Sequence, residues 1–137
     1  MDKKLIGLLT LLILVFSLFL SYVVFNKQIA TFTRASEELV PSSQTSLIFA
    51  WPLNVKADGK SKVNINVFVR NNKNIPLPNK AVSLSTNLGN IESNNITTDK
   101  SGKASFNLVS NQSGIAQITA IVDNKIQLNQ TVTIKFE

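Results

Sequence analysis

Eight carboxylates make up the acid–base inventory of this 137-residue chain, which contains neither histidine nor cysteine. Thiolate nucleophiles, disulfides and Cys/His zinc sites are therefore absent, along with the side chain whose ordinary pKa lies nearest neutrality. Asp58 and Asp99 stand out because each sits in a polar knot beside glycine, in "ADGKS" (57–61) and "TTDKSGKA" (97–104). A calcium loop needs about six to eight oxygen ligands, usually from several carboxylates, and each knot has one. The two loops would make a joint site only if folding brought them together. A hydrolytic pair would have to come from Asp58, Glu92, Asp99 and Asp123, which lie in different turns, outside the apolar segments that raise a carboxyl pKa. With no histidine and no Gly-x-Ser-x-Gly elbow, a serine hydrolase is excluded as well.

The chemistry expected of these residues is therefore conformational. An aspartate at turn spacing accepts hydrogen bonds from backbone N–H groups two residues on, and the following glycine supplies positive φ. Asp58, Gly59, Asp99 and Gly102 are read as turn formers, with no catalytic, cofactor-binding or metal residue and no cofactor. Asn95, Asn111 and Asn129 open Asn-x-Ser/Thr sequons, which arise by chance in so asparagine-rich a chain. The net charge of +6 is scattered, with no basic run interleaved with aromatics, so nucleic acid is not an expected partner.

The elements that must position these turns begin after an apolar stretch. "LIGLLTLLILVFSLFLSYVVF", Leu5 to Phe25, has no charge. At about 1.5 Å per residue a helix of that length spans roughly 31 Å, the thickness of a bilayer core. It is longer than the apolar part of a cleaved signal peptide and ends in bulky residues. It is read as an uncleaved signal anchor in contact with the lipid bilayer, following a short cytoplasmic tail at residues 1–4. Lys3 and Lys4 on one side are balanced by Lys27 and Arg34 on the other, so charge alone does not orient it. Residues 26–40 carry a narrow apolar stripe that includes Ile29, Phe32 and Leu39. They are read as a helical stalk ending at Pro41, whose stripe is a candidate packing face for self-association or for docking to a larger complex. Residues 41–46, "PSSQTS", read as a flexible linker.

From Ser46 onward the period changes to two. "KVNINVFVR" sets Val63, Ile65, Val67 and Val69 on one face, and "AVSLST", "KASFNLV", "GIAQITAIV" and "KIQLNQTVTIKF" repeat the alternation. "SLIFAW" is interrupted by Pro52 and resumes in "LNVKA", the mark of an edge strand crossing between sheets. Trp51 beside it is read as core or edge packing. About seven short strands at 8–12-residue spacing, with no helical pattern between them, predict an all-β antiparallel sandwich over residues 46–137.

The joints between the strands carry a resemblance. Asp58 and Gly59, Pro76 and Pro78, Gly89, the Thr98-Asp99-x-x-Gly102-x-Ala104 turn and the Gly114-x-Ala116-x-Ile118-x-Ala120 strand resemble, in order and spacing, the bacterial Ig-like domain group 1, the module repeated in invasin and intimin adhesins. Asn74 and Asn79 stand where that family usually has glycine, and asparagine is the residue that best tolerates positive φ after glycine. The resemblance implies an Ig-like sandwich and, with the anchor, a membrane protein displaying one module outside the cell. Its expected role is structural or adhesive, with a protein or glycan partner. The alternative is a type IV pilin-like or archaellin-like filament subunit with its helix in the filament core, although no leader-cleavage motif or early acidic residue is visible in the apolar segment.

Overall fold

The computed structural model describes residues 2–137, apart from the side chains of 25–38. Helix α1 spans Lys3–Glu38. Its leucine-rich first half has good helix formers and no proline. The hydroxyls of Thr10 and Ser17 donate to carbonyls one turn back, Thr10 Oγ1 to Ile6 O at 3.0 Å and Ser17 Oγ to Leu14 O at 3.1 Å. These polar side chains thus satisfy themselves on the helix and need no water. The helix stops before Leu39, Val40 and Pro41, consistent with proline's bias against helix in the residue preceding it.

Ten strands follow, six of them five residues or longer: β1 (Leu47–Trp51), β2 (Asn54–Val55), β3 (Val63–Phe68), β4 (Ala81–Thr86), β5 (Asn90–Ile91), β6 (Asn95–Thr97), β7 (Lys103–Val109), β8 (Gly114–Val122), β9 (Ile126–Gln127) and β10 (Val132–Phe136). They form a four-stranded sheet in the order β1-β3-β7-β5 and a second sheet in the order β2-β10-β8-β4-β6, with β9 also paired to β8. The expected alternation is what closes them on each other. Val63, Ile65 and Val67 of β3 face Phe106 and Leu108 of β7 and, from the other sheet, Val82, Ala116, Ile118, Ala120, Val122, Ile134 and Phe136, all buried in one core. The small Ala104, Ala116 and Ala120 alternate with larger neighbours, so the layers interdigitate without cysteine staples.

Two details depart from the sequence reading. One pair, β2 with β10, is parallel rather than antiparallel. The reason lies at Pro52: it has no N–H for a ladder, the chain leaves the first sheet there, and it re-enters the second alongside the C-terminal strand. Leu53 and Val55 carbonyls accept from Lys135 N–H and Glu137 N–H at 2.8 and 2.9 Å. The other correction concerns residues 41–46, which are not a flexible linker. Pro41, Ser42 and Ser46 are buried. Ser42 N–H donates to Arg70 O at 2.8 Å, Thr45 Oγ1 donates to Asn71 O at 2.8 Å, and Ser43 O accepts from Asn129 N–H at 3.2 Å. Short serine and threonine side chains that look linker-like in sequence are here a hydrogen-bonding seam.

Candidate functional site

Asp58 and Asp99 each organise one turn. Asp58 Oδ1 accepts from the N–H groups of Lys60 at 2.8 Å and Ser61 at 2.6 Å, while Oδ2 accepts from Ser61 Oγ at 2.8 Å. Asp99 Oδ1 accepts from Ser101 N–H at 2.8 Å, Ser101 Oγ at 2.7 Å and Lys103 N–H at 3.0 Å. These bonds stabilise the ionised form. The Ser61 and Lys60 amides hold the Asp58 carboxyl down to about 2, and the Ser101 side chain, with the Lys103 amide, lowers that of Asp99. The two loops lie at opposite ends of β3: Asp58 precedes Val63, whereas the Asp99 turn leads into Lys103, the partner of Phe68. Among the described residues, no three acidic side chains gather as a metal site would require.

Gly102 has φ near +74°, and a Cβ there would lie 2.6 Å from Val69 O and 3.0 Å from Leu77 N. Backbone from a neighbouring strand fills the space a side chain would need. Gly89, with φ near +86°, is closed off in the same way by Val109 O at 2.7 Å. Gly59 and Gly114 flank the loops at that same end, where Gly59 N–H donates to Ser110 O at 2.9 Å. Asn74 and Asn79 adopt φ of 65° and 57°, the conformation for which glycine is otherwise used. Pro76 and Pro78 bracket buried Leu77, whose N–H donates to Val69 O at 2.9 Å and whose carbonyl accepts from Thr98 Oγ1 at 2.7 Å. The motif residues thus clamp loops to strands, and none points a reactive group into a cavity. A shallow cleft of about 400 Å³ between Gly59, Gly89, Asn90, Val109, Ser110, Asn111 and Gln112 has a mixed polar and apolar lining.

Of the candidate packing face, Leu39 is exposed, whereas the side chains of Ile29 and Phe32 lie outside the described residues. The apolar segment Lys3–Val24, 22 residues with mean hydropathy 2.5, is long and apolar enough to cross a membrane, and none of its surface is buried.

Trp51 corrects the sequence reading. It is 77% exposed rather than packed in a core or against an edge, and Phe49, two residues earlier, is 50% exposed. Both stand on the outer face of the four-stranded sheet, opposite the core residue Ile48. The register sets Trp51 beside Asn64 and then Asn107, and Phe49 beside Asn66 and then Ser105. Phe68 closes the third row next to Leu47 and meets Phe49 edge to face, with ring centroids 6.1 Å apart. Sequence reasoning passed over this face because it attended to the buried positions of each strand. Its signal was present in Phe49, Trp51 and Phe68, large aromatics at the positions that alternation assigns to solvent.

Two packed sheets with loops held to them by the Asp58-Gly59 and Asp99-x-x-Gly102 turns define an Ig-like β-sandwich module. The chain belongs to the bacterial Ig-like domain (group 1) family, whose model matches residues 48–137. Among solved structures it is similar to invasin, described as a bacterial integrin-binding protein, at 28% identity over 71% of this chain and 20% of that one, with a TM-score of 0.66. It is similar also to the Yersinia pseudotuberculosis adhesin InvE (23% identity, 70% of this chain and 27% of that one, TM-score 0.63) and to the D0-D1 domain of intimin (22% identity, 72% and 49%, TM-score 0.62). The chain spans less than half the length of each of these structures. No curated protein matches it.

Proposed function

We propose that this chain is a single-pass membrane protein that holds one Ig-like module outside the cell, in a non-catalytic structural or adhesive role. The observation that carries the reading is the union of two parts in one chain: a wholly exposed apolar helix at Lys3–Val24 and an adhesin-type module at residues 48–137. The uncharged, leucine-rich run from Leu5 to Val24 would be strongly unfavourable if left uncovered in water, whereas a bilayer covers it. The neighbours whose descriptions name an adhesin or an integrin-binding protein support placing the β-domain outside, in an adhesive role.

Alkaline carbonate extraction and protease shaving of whole cells test the reading together. The chain is expected to stay in the membrane pellet at high pH, and external protease is expected to remove the β-domain while cytoplasmic markers survive. Release by carbonate rules out the anchor. A β-domain that survives shaving while other surface proteins are digested rules out the outward orientation.

A further inference from the structure

We propose that the outer face of the β1-β3-β7 layer binds an uncharged glycan chain, with Trp51 and Phe49 stacking on sugar rings and Asn64, Asn66 and Asn107 hydrogen-bonding their hydroxyls. The proposal deepens the adhesive reading by giving it a ligand class and a site, and it rests on that reading for the location of the ligand outside the cell.

The first argument is chemical. Trp51 and Phe49 are two residues apart on edge strand β1, so their Cα atoms are about 6.8 Å apart along it and both rings lie on one exposed face, where each can stack on a sugar ring. Beside each ring lies a row of amides and hydroxyls set by the strand register, Asn64 and Asn107 next to Trp51, Asn66 and Ser105 next to Phe49. A sugar presents an apolar ring face and a polar hydroxyl rim, and this pairing of aromatic and amide answers both. The amides retain hydrogen-bonding capacity. Ser105 Oγ donates to Asn66 Oδ1 at 2.8 Å and Asn107 Nδ2 donates to Glu92 Oε2 at 3.1 Å, which orients both side chains and leaves the Nδ2 of Asn66 and the Oδ1 of Asn107 available. Asn64 is exposed and, among the described residues, makes no side-chain hydrogen bond.

The second argument is charge. The chain carries fourteen cationic side chains against eight anionic ones, yet these three rows contain a single charge, Lys103, at a corner. The nearby Lys62 and Glu92 neutralise one another in an ion pair. A site selected for an acidic polymer or peptide would use the cations this domain has in excess, and this face excludes them from its centre.

The third argument is size. Three strands about 4.8 Å apart, each with three outward positions, cover on the order of 10 Å by 14 Å. Even doubled for side-chain margins, that area falls well short of the roughly 800 Å² per partner of a stable protein interface. A second copy of the chain or a folded protein would have to extend onto the charged surroundings such as Lys62 and Glu92, whereas a few sugar units fit within the three rows.

Trp51 is the only tryptophan, so its fluorescence reports on this face alone. The full chain, purified in a detergent without sugar headgroups, is titrated with cellohexaose, chitohexaose and mannohexaose, and with oligogalacturonate as the anionic comparison. Saturable change of the tryptophan emission is expected with at least one neutral oligosaccharide, insensitive to salt. Phe49→Ala and Asn64→Ala, followed by calorimetry, are each expected to weaken that binding about fivefold or more in variants that remain folded, with the melting temperature of Asn64→Ala unchanged. Ile115→Ala, on the other sheet, is expected to leave it unchanged. Asn64 has no side-chain partner to lose, so its variant keeps the test valid if Phe49→Ala folds poorly. The proposal is overturned if no neutral probe binds, if folded face variants bind like the parent, or if oligogalacturonate binds more tightly and releases with salt. It is equally overturned if sedimentation shows a dimer that Phe49→Ala dissociates, which would make the face a contact between copies. Because binding is measured on purified protein, its failure leaves the carbonate and shaving results standing, and their failure leaves the binding result standing.

Discussion

At Gly102 the backbone is held where only a residue without Cβ fits. Gly102→Val would set a β-branched side chain at positive φ and drive its Cβ into Val69 O, 2.6 Å away. We expect a loss of about 2–4 kcal/mol, read as a fall of roughly 10 °C or more in melting temperature. Asp99→Asn keeps an oxygen for the Ser101 and Lys103 amides, and its fall in melting temperature is expected to be much smaller than that of Gly102→Val. If thermal unfolding ranks the two the other way, and added calcium stabilises only the parent, the turn reading gives way to a metal site. The same carboxylates set the acid limit of the domain. The folded pKa of Asp58 is depressed from 3.8 to about 2, and that of Asp99 is depressed as well. A group with a lowered folded pKa contributes stability that is present above its unfolded pKa and is lost as pH falls towards the folded one. Melting temperature is therefore expected to be flat with respect to these groups above about pH 5 and to drop between about pH 4 and pH 2. Asp58→Asn should flatten part of that drop, and an unchanged profile refutes the assignment.

The loops and edges of the sandwich are held by buried polar side chains as much as by strand ladders. Asn71 is buried, and its Oδ1 accepts from the N–H groups of Lys73 at 3.0 Å and Ile75 at 2.9 Å, shaping the connection between β3 and β4. Asn71→Ala leaves these loop amides without that acceptor, and a cost of about 1–3 kcal/mol in chemical denaturation is expected. A loss indistinguishable from zero would mean that water replaces the side chain freely. Edge strand β1 is protected in a similar manner, since Ile48 N–H donates to Gln130 Oε1 at 3.2 Å and Pro52 presents no donor. In the sequence, "NNKNIP" and "PSSQTS" look alike as polar, loop-forming stretches. Nothing local separates a buried asparagine that anchors a turn from one in solvent, because the difference is made by segments distant in sequence, such as Thr45, which donates to Asn71 O across 26 residues.

For the whole molecule, the two parts make separable predictions. Arginine at both Leu12 and Phe16 is expected to cost about 2.5–3.5 kcal/mol per residue for insertion at the centre of a span, and to shift the chain out of the carbonate-resistant pellet. Retention equal to the parent would show that the helix is not the anchor. Conversely, Phe106→Ala opens a cavity in the core and is expected to cost about 3–5 kcal/mol of the β-domain's stability while leaving membrane retention intact.

Period-two alternation from Val63 to Phe136, the uncharged run from Leu5 to Phe25 and the Asp-Gly punctuation were legible in the chain by itself. Burial face, span length and positive-φ turns are each determined by neighbours a few residues apart, which is also why the family resemblance could be read from turn spacing. Other features were decided by tertiary structure: the parallel pairing of β2 with β10, the packing of residues 41–46, the separation of Asp58 from Asp99, and the exposure of Trp51. Each depends on which distant strand lies alongside. Trp51 is the clearest case, for an aromatic residue at an edge is equally at home in a core or on a surface. Alternation set Trp51 on the face opposite Ile48, and only the packing of the two sheets decided that this face stays uncovered.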